Sequence, residues 1–168
     1  MVKIGNMPIL HHIINLYNKY GYKEFILALG YKGYYIKNYF KNKKFNNLKI
    51  RLVDTGRNTL TGGRLLRLKN LFSKNENFML TYGDGISNQN LKKLEKFHSK
   101  HKRVGTMTVV RPPVRFGEVK LKNNVVSMFK EKPQASNSWI NGGFFVFNAK
   151  IFNFIKNDRT MLEKEPLE

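Results

Sequence analysis

The amino-acid sequence predicts an α/β protein, namely a Rossmann-like αβα sandwich with a mixed, mainly parallel sheet. Two observations predict this class. Short, nearly continuous apolar runs at 24–29 and 77–82 are typical of strands that are buried on both faces. Between such runs, apolar residues recur every three or four positions, which is the period of an amphipathic helix. Alternating helices and buried strands favour a sheet with helices on both sides.

The first two thirds of the chain contain this alternation. A helical pattern begins at Pro8, which suits a first helical turn, and it stops at Gly21. The predicted elements that follow are strand 24–29, helix 34–40, strand 48–53, helix 61–71, strand 77–82, helix 90–101 and strand 104–110. In the helix at 90–101, we expect Leu91, Leu94 and Phe97 to share the buried face.

The last third is predicted to supply shorter strands of mixed direction. Strand-like stretches occupy 116–121, 125–129 and 143–148, and Asn123-Asn124 indicates a turn between the first two. A final helix is expected at 150–155. A chain of 168 residues suits a single domain, which we assign to residues 1–168.

Composition excludes several classes of protein. The chain has no cysteine, so disulfides, cysteine zinc sites and a cysteine nucleophile are excluded. No apolar run approaches the roughly 20 residues of a membrane span, and the N-terminus lacks the apolar core of a secretory signal. The sequence therefore predicts a soluble, cytoplasmic protein.

The net charge of +20, from 31 Lys and Arg against 11 Asp and Glu, suggests binding to a polyanion. The basic residues are scattered along the chain, however, and no zinc-finger, RNA-recognition or basic-zipper pattern occurs. We interpret the charge as mainly a compositional bias of the surface, which also attracts anionic small molecules. A basic polyanion-binding protein stays open as an alternative, and no specific nucleic-acid or membrane partner is predicted.

Ligands of open α/β sheets bind outside the carboxyl ends of the strands, so polar residues at these ends are the first candidates for a site. Asp84 follows the strand at 77–82 and lies between two glycines. A carboxylate there can hold Mg²⁺ while phosphates approach closely. The alternative is a tight turn in which Asp84 only accepts backbone hydrogen bonds.

The segment Thr61-Gly62-Gly63-Arg64 is a second candidate. Its glycines would expose backbone N–H groups at the start of a helix, and Arg64 could bind a phosphate. The alternative is an ordinary Gly-Gly turn, and the segment does not have the spacing of a P-loop.

Two more candidates follow later in the chain. Glu131 could accept hydrogen bonds from sugar hydroxyls, and Lys132 could neutralise a phosphate. The alternative is a solvated Glu–Lys pair at a strand end. Asn141 precedes two glycines and a buried strand, which suits polar recognition at close backbone approach, although a simple turn explains the pattern too.

These motifs occur in a distinctive order. From the first residues to the last, the chain contains Pro8-Ile9-Leu10, Gly30-Tyr31-Lys32-Gly33, Leu52-Val53-Asp54-Thr55-Gly56, Thr61-Gly62-Gly63-Arg64-Leu65, Thr81-Tyr82-Gly83-Asp84-Gly85, Arg115-Phe116-Gly117, Glu131-Lys132-Pro133, Ile140-Asn141-Gly142-Gly143-Phe144-Phe145 and Glu165-Pro166-Leu167. This order resembles the sugar-1-phosphate nucleotidylyltransferases, and it is most similar to their cytidylyltransferase branch. That branch transfers a nucleotidyl group from CTP to α-D-glucose 1-phosphate and releases pyrophosphate. Its product, CDP-glucose, serves dideoxysugar and lipopolysaccharide O-antigen synthesis.

The resemblance implies the nucleotide-diphospho-sugar transferase fold and a nucleotide side of the site. Asp84 would bind the Mg²⁺ cofactor. Arg64, with Gly62 and Gly63 beside it, would contact the nucleotide.

The resemblance also implies a sugar side. Lys132 would hold the phosphate of glucose 1-phosphate, Glu131 and Asn141 would contact the sugar hydroxyls, and Gly117 would line the sugar pocket. The catalytic residues implied in this way are Asp84, Lys132 and Arg64.

The resemblance further implies that the catalytic domain is incomplete. Family members begin with a central strand and a glycine-rich GGxGTR loop that holds the triphosphate, and they continue with a second metal-binding aspartate. We therefore expect this polypeptide to be inactive or nearly so by itself, and the full-length family member to be a homo-oligomer. The alternatives are a nucleotidylyltransferase for another base or sugar, and a catalytically dead subunit that binds sugar phosphate or nucleotide.

Overall fold

The computed structural model describes residues 1–43, 45, 47–113, 117–131 and 138–167. In this part of the chain the helices are α1 (Ile9–Lys19), α2 (Gly33–Lys41), α3 (Thr61–Leu66) and α4 (Leu91–His101). The strands are β1 (Lys3–Ile4), β2 (Met7–Pro8), β3 (Glu24–Leu29), β4 (Lys49–Asp54), β5 (Asn77–Thr81), β6 (Gly105–Val110), β7 (Glu118–Lys122), β8 (Val125–Lys130) and β9 (Ile140–Asn148). The 3₁₀ helices are Lys69–Leu71 and Ala149–Phe154. No helix within the described ranges is long and apolar enough to cross a membrane.

The pairing of the strands confirms an α/β fold that combines parallel and antiparallel sheets. Strands β3 and β4 pair in parallel, whereas β9 pairs antiparallel with both β5 and β6. Two antiparallel hairpins, β1–β2 and β7–β8, lie outside these sheets. Parallel pairing is less common than predicted in the described residues, because β9 lies between β5 and β6 and runs antiparallel to both.

A cavity of about 780 Å³ separates β3 from β5. Every residue of both strands lines it, which shows that their edges border the cavity, since alternate residues of a strand point to opposite faces. Within the described residues, neither strand has a strand partner on this edge, and the N–H and C=O groups of such an edge need water or another partner.

Helix α1 lies beside the cavity. Tyr17 on its inner face contacts both the β3–β4 sheet and the β5–β9–β6 sheet, which we call the two half-sheets. Its ring packs edge-on against Phe25 of β3 and stacks on Phe144 of β9, with centroids 6.4 Å apart in each case. The Tyr17 hydroxyl is buried and has no hydrogen-bond partner in the described structure. Burial raises the pKa of Tyr17, and the nearby Thr81 hydroxyl, which donates to the Gly143 carbonyl at 2.8 Å, offsets only part of that rise.

The core consists of two apolar clusters that meet at β9. This strand is the most deeply buried, and its residues 144–147 are at most 1% exposed. One cluster consists of Leu65, Phe145, Phe147, Ala149, Ile151, Phe152, Ile155 and Leu162. The other consists of Ile13, Tyr17, Leu91 and Phe144. Successive residues of β9 point to opposite faces, so each cluster receives alternate side chains of the same strand.

The predicted buried face of α4 is wrong at one position. Phe97 is 61% exposed, whereas His98 is 2% exposed. Helical geometry explains the difference, because a residue seven positions after Leu91 lies almost two full turns further on. Phe97, six positions after Leu91, lies about a third of a turn around the helix axis from Leu91 and so points away from the core.

His98 can be buried in the core because its Nδ1 atom accepts a hydrogen bond at the end of a chain of three. The Arg103 backbone N–H donates to His101 Nδ1 at 3.0 Å, so His101 donates from Nε2 to Thr106 Oγ1 at 2.7 Å. The Thr106 hydroxyl then donates to His98 Nδ1 at 2.8 Å. Burial and the neighbouring His101 lower the pKa of His98, which agrees with a neutral ring.

Three shorter elements differ in how well the sequence predicts them. The predicted turn between β7 and β8 is confirmed, and both Asn123 and Asn124 have a positive φ, as a two-residue hairpin turn requires. The predicted helix at 150–155 is instead the 3₁₀ helix Ala149–Phe154. The hairpin β1–β2 was not predicted, because each strand has only two residues and shows no periodicity.

We predict that Tyr17→Phe raises the free energy of unfolding by about 1 kcal/mol, since a buried polar group without a partner costs roughly 1–3 kcal/mol. Urea denaturation measures the change, and Tyr31→Phe is the control because Tyr31 is exposed. A loss of stability in Tyr17→Phe alone would show that the hydroxyl does have a partner.

Candidate functional site

The loops after β3 and β4 meet at the carboxyl ends of these parallel strands. The Leu29 carbonyl, at the end of β3, accepts hydrogen bonds from both the backbone N–H and the hydroxyl of Thr55, each at 2.8 Å. The Arg57 guanidinium lies over the Tyr31 ring, 5.0 Å from its centroid. The two loops therefore form one surface at the edge of the sheet where a ligand is expected.

Arg64 reaches into these loops from α3 and binds protein atoms. Its Nη1 lies 3.1 Å from the Leu29 carbonyl, 2.9 Å from Thr55 Oγ1 and 2.9 Å from the Gly56 carbonyl. The guanidinium occupies the space that a Cβ on Gly30 would need. In this structure Arg64 therefore fixes the backbone of two loops, and contact with a nucleotide stays a prediction.

The two glycines of α3 bind the C-terminal part of the chain. The N–H groups of Gly62 and Gly63 donate to the Thr160 carbonyl at 3.0 and 3.2 Å, and the Leu60 N–H donates to the Asp158 carbonyl at 2.9 Å. A Cβ on Gly63 would overlap the Asp158 backbone. The expectation that these N–H groups are exposed to a ligand does not hold, because the chain itself occupies them, and a nucleotide-binding role for the glycines stays a prediction.

A hydrogen-bonded network connects three of the predicted motifs through Glu163. Tyr82 donates to Glu163 Oε1 at 2.5 Å, and Thr61 donates to Glu163 Oε2 at 2.6 Å. Asn141 Nδ2 lies 3.2 Å from the Tyr82 hydroxyl oxygen. The motifs around Thr61, Tyr82 and Asn141 are thus brought together, as a common site requires.

Electrostatics agree with a charged Glu163 and a neutral Tyr82. Burial opposes ionisation of Glu163, but the Thr61 and Tyr82 hydroxyls outweigh it and hold its pKa below the usual range. Burial, followed by the hydrogen bond to Glu163, raises the pKa of Tyr82 to about 12.

A bulge in β9 sets the position of Asn141. Between the pairs Met107↔Phe145 and Val109↔Asn141, β9 advances by four residues while β6 advances by two. The extra length includes Gly143, which has φ +75° and whose Cβ position is blocked by the Tyr82 ring. The Gly143 N–H donates to Asn141 Oδ1 at 2.8 Å. The bulge therefore turns the exposed Asn141 side chain towards Tyr82, which is a common use of bulges beside binding sites.

Asp84 lies in the exposed turn that follows β5, and its charge contributes to the raised pKa of Tyr82. Within the described ranges, no group of three or more His, Asp or Glu side chains could hold a metal ion by itself. Mg²⁺ is commonly held by only one or two carboxylates together with substrate phosphates and water. One accessible carboxylate at a strand end therefore fits a metal that arrives with a nucleotide.

The sugar-side candidates are described in part. Gly117 lies opposite Glu131 at the end of the β7–β8 hairpin, and a Cβ on Gly117 would be 3.2 Å from Glu131 Oε2. Lys132 and Pro133, like Arg115 and Phe116, lie outside the described residues. The pairing of Gly117 with Glu131 agrees with a shared pocket, and their contact with a sugar stays a prediction.

Sequence reasoning missed Glu163 and Thr55. Glu163 precedes the recognised Glu165-Pro166-Leu167 segment and is one of only 11 acidic residues in a basic chain, which is a weak signal. Thr55 is fully buried, and nothing in its local sequence shows that its hydroxyl lies between Leu29 and Arg64.

Comparisons with known proteins identify the family to which the chain belongs. The family described as Nucleotidyl transferase matches residues 1–168. A glucose-1-phosphate cytidylyltransferase of Salmonella typhimurium is 40% identical, over 99% of this chain and 73% of that protein. A probable glucose-1-phosphate cytidylyltransferase of Bacillus subtilis is 39% identical, over 100% of this chain and 74% of that protein. The crystal structure of HddC from Yersinia pseudotuberculosis has a TM-score of 0.73 at 22% identity, covering 98% of this chain and 73% of that one, which shows the shared fold.

We predict that Arg64→Lys lowers the free energy of unfolding by about 1–3 kcal/mol, because a lysine ammonium cannot reach all the oxygen atoms that Arg64 binds and leaves the partly buried Gly56 carbonyl without the donor it has here. Urea denaturation measures the loss. Arg67→Lys is the control, since Arg67 forms an exposed ion pair with Asp158 whose loss costs about 0–1 kcal/mol. Unchanged stability with weaker nucleotide binding would instead assign Arg64 to the ligand.

Proposed function

The chain belongs to the nucleotidyl transferase family, and from this premise we propose that it serves CTP-dependent nucleotidyl transfer to α-D-glucose 1-phosphate, which yields CDP-glucose and pyrophosphate. The observation that supports this function best is the network in which Glu163 connects Thr61 and Tyr82, and Tyr82 contacts Asn141. It gathers polar groups from three motifs at the carboxyl ends of the strands. The name shared by the cytidylyltransferase relatives supports the choice of CTP and glucose 1-phosphate.

The reaction is an in-line displacement at phosphorus. A phosphate oxygen of glucose 1-phosphate attacks the α-phosphorus of CTP, the bond from that phosphorus to the bridging oxygen breaks, and pyrophosphate leaves with the electron pair. No protein nucleophile is needed, so the lack of cysteine is no obstacle. The protein contributes alignment of the two substrates and stabilisation of charge.

Asp84 is the residue that would hold Mg²⁺ on the nucleotide side. When bound, the metal would neutralise charge on the phosphates of CTP. Arg64 supports this side by fixing the loops after β3 and β4. The exposed position of Asp84 leaves room for a nucleotide triphosphate beside it.

On the sugar side, the exposed Asn141 amide would bind a sugar hydroxyl. Glu131 and Gly117 would border the sugar pocket, and Lys132 would bind the phosphate. The Glu131 carboxylate lies close to Gly117, since a Cβ on Gly117 would be 3.2 Å from its Oε2, and this supports the arrangement. By resemblance, we also propose that the enzyme functions as a cytoplasmic homo-oligomer that supplies surface-polysaccharide synthesis.

We predict that Asp84→Asn and Asn141→Ala affect different substrates. Asp84→Asn should weaken binding of CTP in the presence of Mg²⁺ about tenfold or more, or 1.4 kcal/mol, and leave glucose 1-phosphate binding unchanged. Asn141→Ala should weaken binding of glucose 1-phosphate by a similar factor and leave CTP binding unchanged. Isothermal titration calorimetry measures both affinities, and ³¹P NMR detects any CDP-glucose formed.

Competing ligands test the choice of substrates. UTP, GTP and dTTP should bind more weakly than CTP, and mannose 1-phosphate more weakly than glucose 1-phosphate. Tighter binding of another nucleotide or sugar phosphate would contradict the substrates proposed here. If neither substrate binds, or if DNA binds tightly regardless of Asp84→Asn, the proposed function is wrong.

A further inference from the structure

Glu163 accepts hydrogen bonds with both carboxylate oxygens. Tyr82 and Thr61 occupy one oxygen each, at 2.5 and 2.6 Å. An ionised carboxylate has no hydrogen to donate, so both hydroxyls must donate to it. The direction of each hydrogen bond in the network then follows from this one charge.

Tyr82 has a single hydroxyl hydrogen, and Glu163 receives it. The contact between Tyr82 and Asn141 must therefore have the Asn141 Nδ2 as the donor. The other end of the amide agrees, because Asn141 Oδ1 accepts from the Gly143 N–H at 2.8 Å. Two independent contacts thus assign the same orientation to the amide.

This orientation determines what Asn141 offers to a ligand. One Nδ2 hydrogen and one Oδ1 lone pair remain after the contacts with Tyr82 and Gly143, and the side chain is exposed. Two neighbouring sugar hydroxyls can present one donor and one acceptor to such an amide. A rotated amide would still be polar, but it would present these two groups in exchanged positions.

We propose that Glu163 is a positioning residue, which acts through the Tyr82 hydroxyl to fix the Asn141 amide in the orientation that binds the sugar of glucose 1-phosphate. The proposal deepens the function proposed above and rests on it. Glu163 itself touches no substrate in this scheme. Its second hydrogen bond, from Thr61, ties the same carboxylate to the start of α3.

The test is Glu163→Gln, which keeps the shape but adds a hydrogen-bond donor and removes the charge. The Tyr82 hydroxyl can then point to Asn141 instead of residue 163, and we predict that the dissociation constant for glucose 1-phosphate rises about tenfold. Glu165→Gln is the matched control on the same segment, because Glu165 is exposed and accepts a hydrogen bond from the Met161 N–H at 3.3 Å. The dissociation constant of Glu165→Gln for glucose 1-phosphate should stay within about twofold of the wild-type value.

A second variant removes the Tyr82 hydroxyl, which connects Glu163 with Asn141. Tyr82→Phe should weaken glucose 1-phosphate binding as much as Glu163→Gln, and the double variant should lose no more than the stronger single one, because both act through the same hydroxyl. Additive losses would show that Glu163 acts by another route and would overturn the proposal. Tyr82→Phe keeps this test available if Glu163→Gln fails to fold.

NMR provides a measurement that does not need a substrate. Glu163→Gln should lower the pKa of Tyr82 from about 12, seen by titration of ¹³Cζ-labelled tyrosine and assigned with Tyr82→Phe. It should also shift the Asn141 side-chain NH₂ resonances, whereas Glu165→Gln should not. Unchanged Tyr82 and Asn141 signals would refute the positioning role. If the wild type binds no glucose 1-phosphate but these signals move as stated, the proposed function fails while the coupling between Glu163 and Asn141 is retained.

Discussion

The contact between the C-terminal segment 158–163 and the glycine pair of α3 is the constraint on which the candidate site depends. The Thr160 carbonyl accepts from both Gly62 and Gly63, and a side chain at Gly63 would displace the Asp158 backbone. Only this close approach places Glu163 beside Thr61 and Tyr82. In this structure the two glycines leave space for another part of the chain to approach α3 closely.

The secondary structure was largely predictable, because periodicity and turn residues are local properties. Apolar runs identified β3 and β5, and two asparagines identified the turn between β7 and β8. On α4 the polarity of His98 concealed a position that helical geometry places in line with Leu91. The burial of His98 depends on Thr106 of β6, whose hydroxyl donates to it, and on His101, which donates to that hydroxyl in turn.

The sequence indicated candidate residues but not their contacts. Strand ends and glycines pointed to Asp84, Arg64 and Asn141, and that these residues form one ligand site stays a prediction. What Arg64 binds could not be read from its neighbours in sequence, because Leu29 lies 35 residues away. Glu163 was missed for the same reason, since its partner Thr61 is 102 residues distant and a long-range contact leaves no local pattern.

The cavity between β3 and β5 also has a mechanical consequence. In a continuous sheet, backbone hydrogen bonds connect neighbouring strands. Within the described residues, the two half-sheets are instead connected through side chains of α1 and α3. Tyr17 bridges Phe25 and Phe144, and Arg64 holds the end of β3. The cavity reaches the candidate site, since Leu29 at the Arg64-bound end of β3 and Tyr82, the neighbour of Asn141, both line it. Small relative tilts of the half-sheets would change the distance between the nucleotide side and the sugar side without breaking any strand pairing.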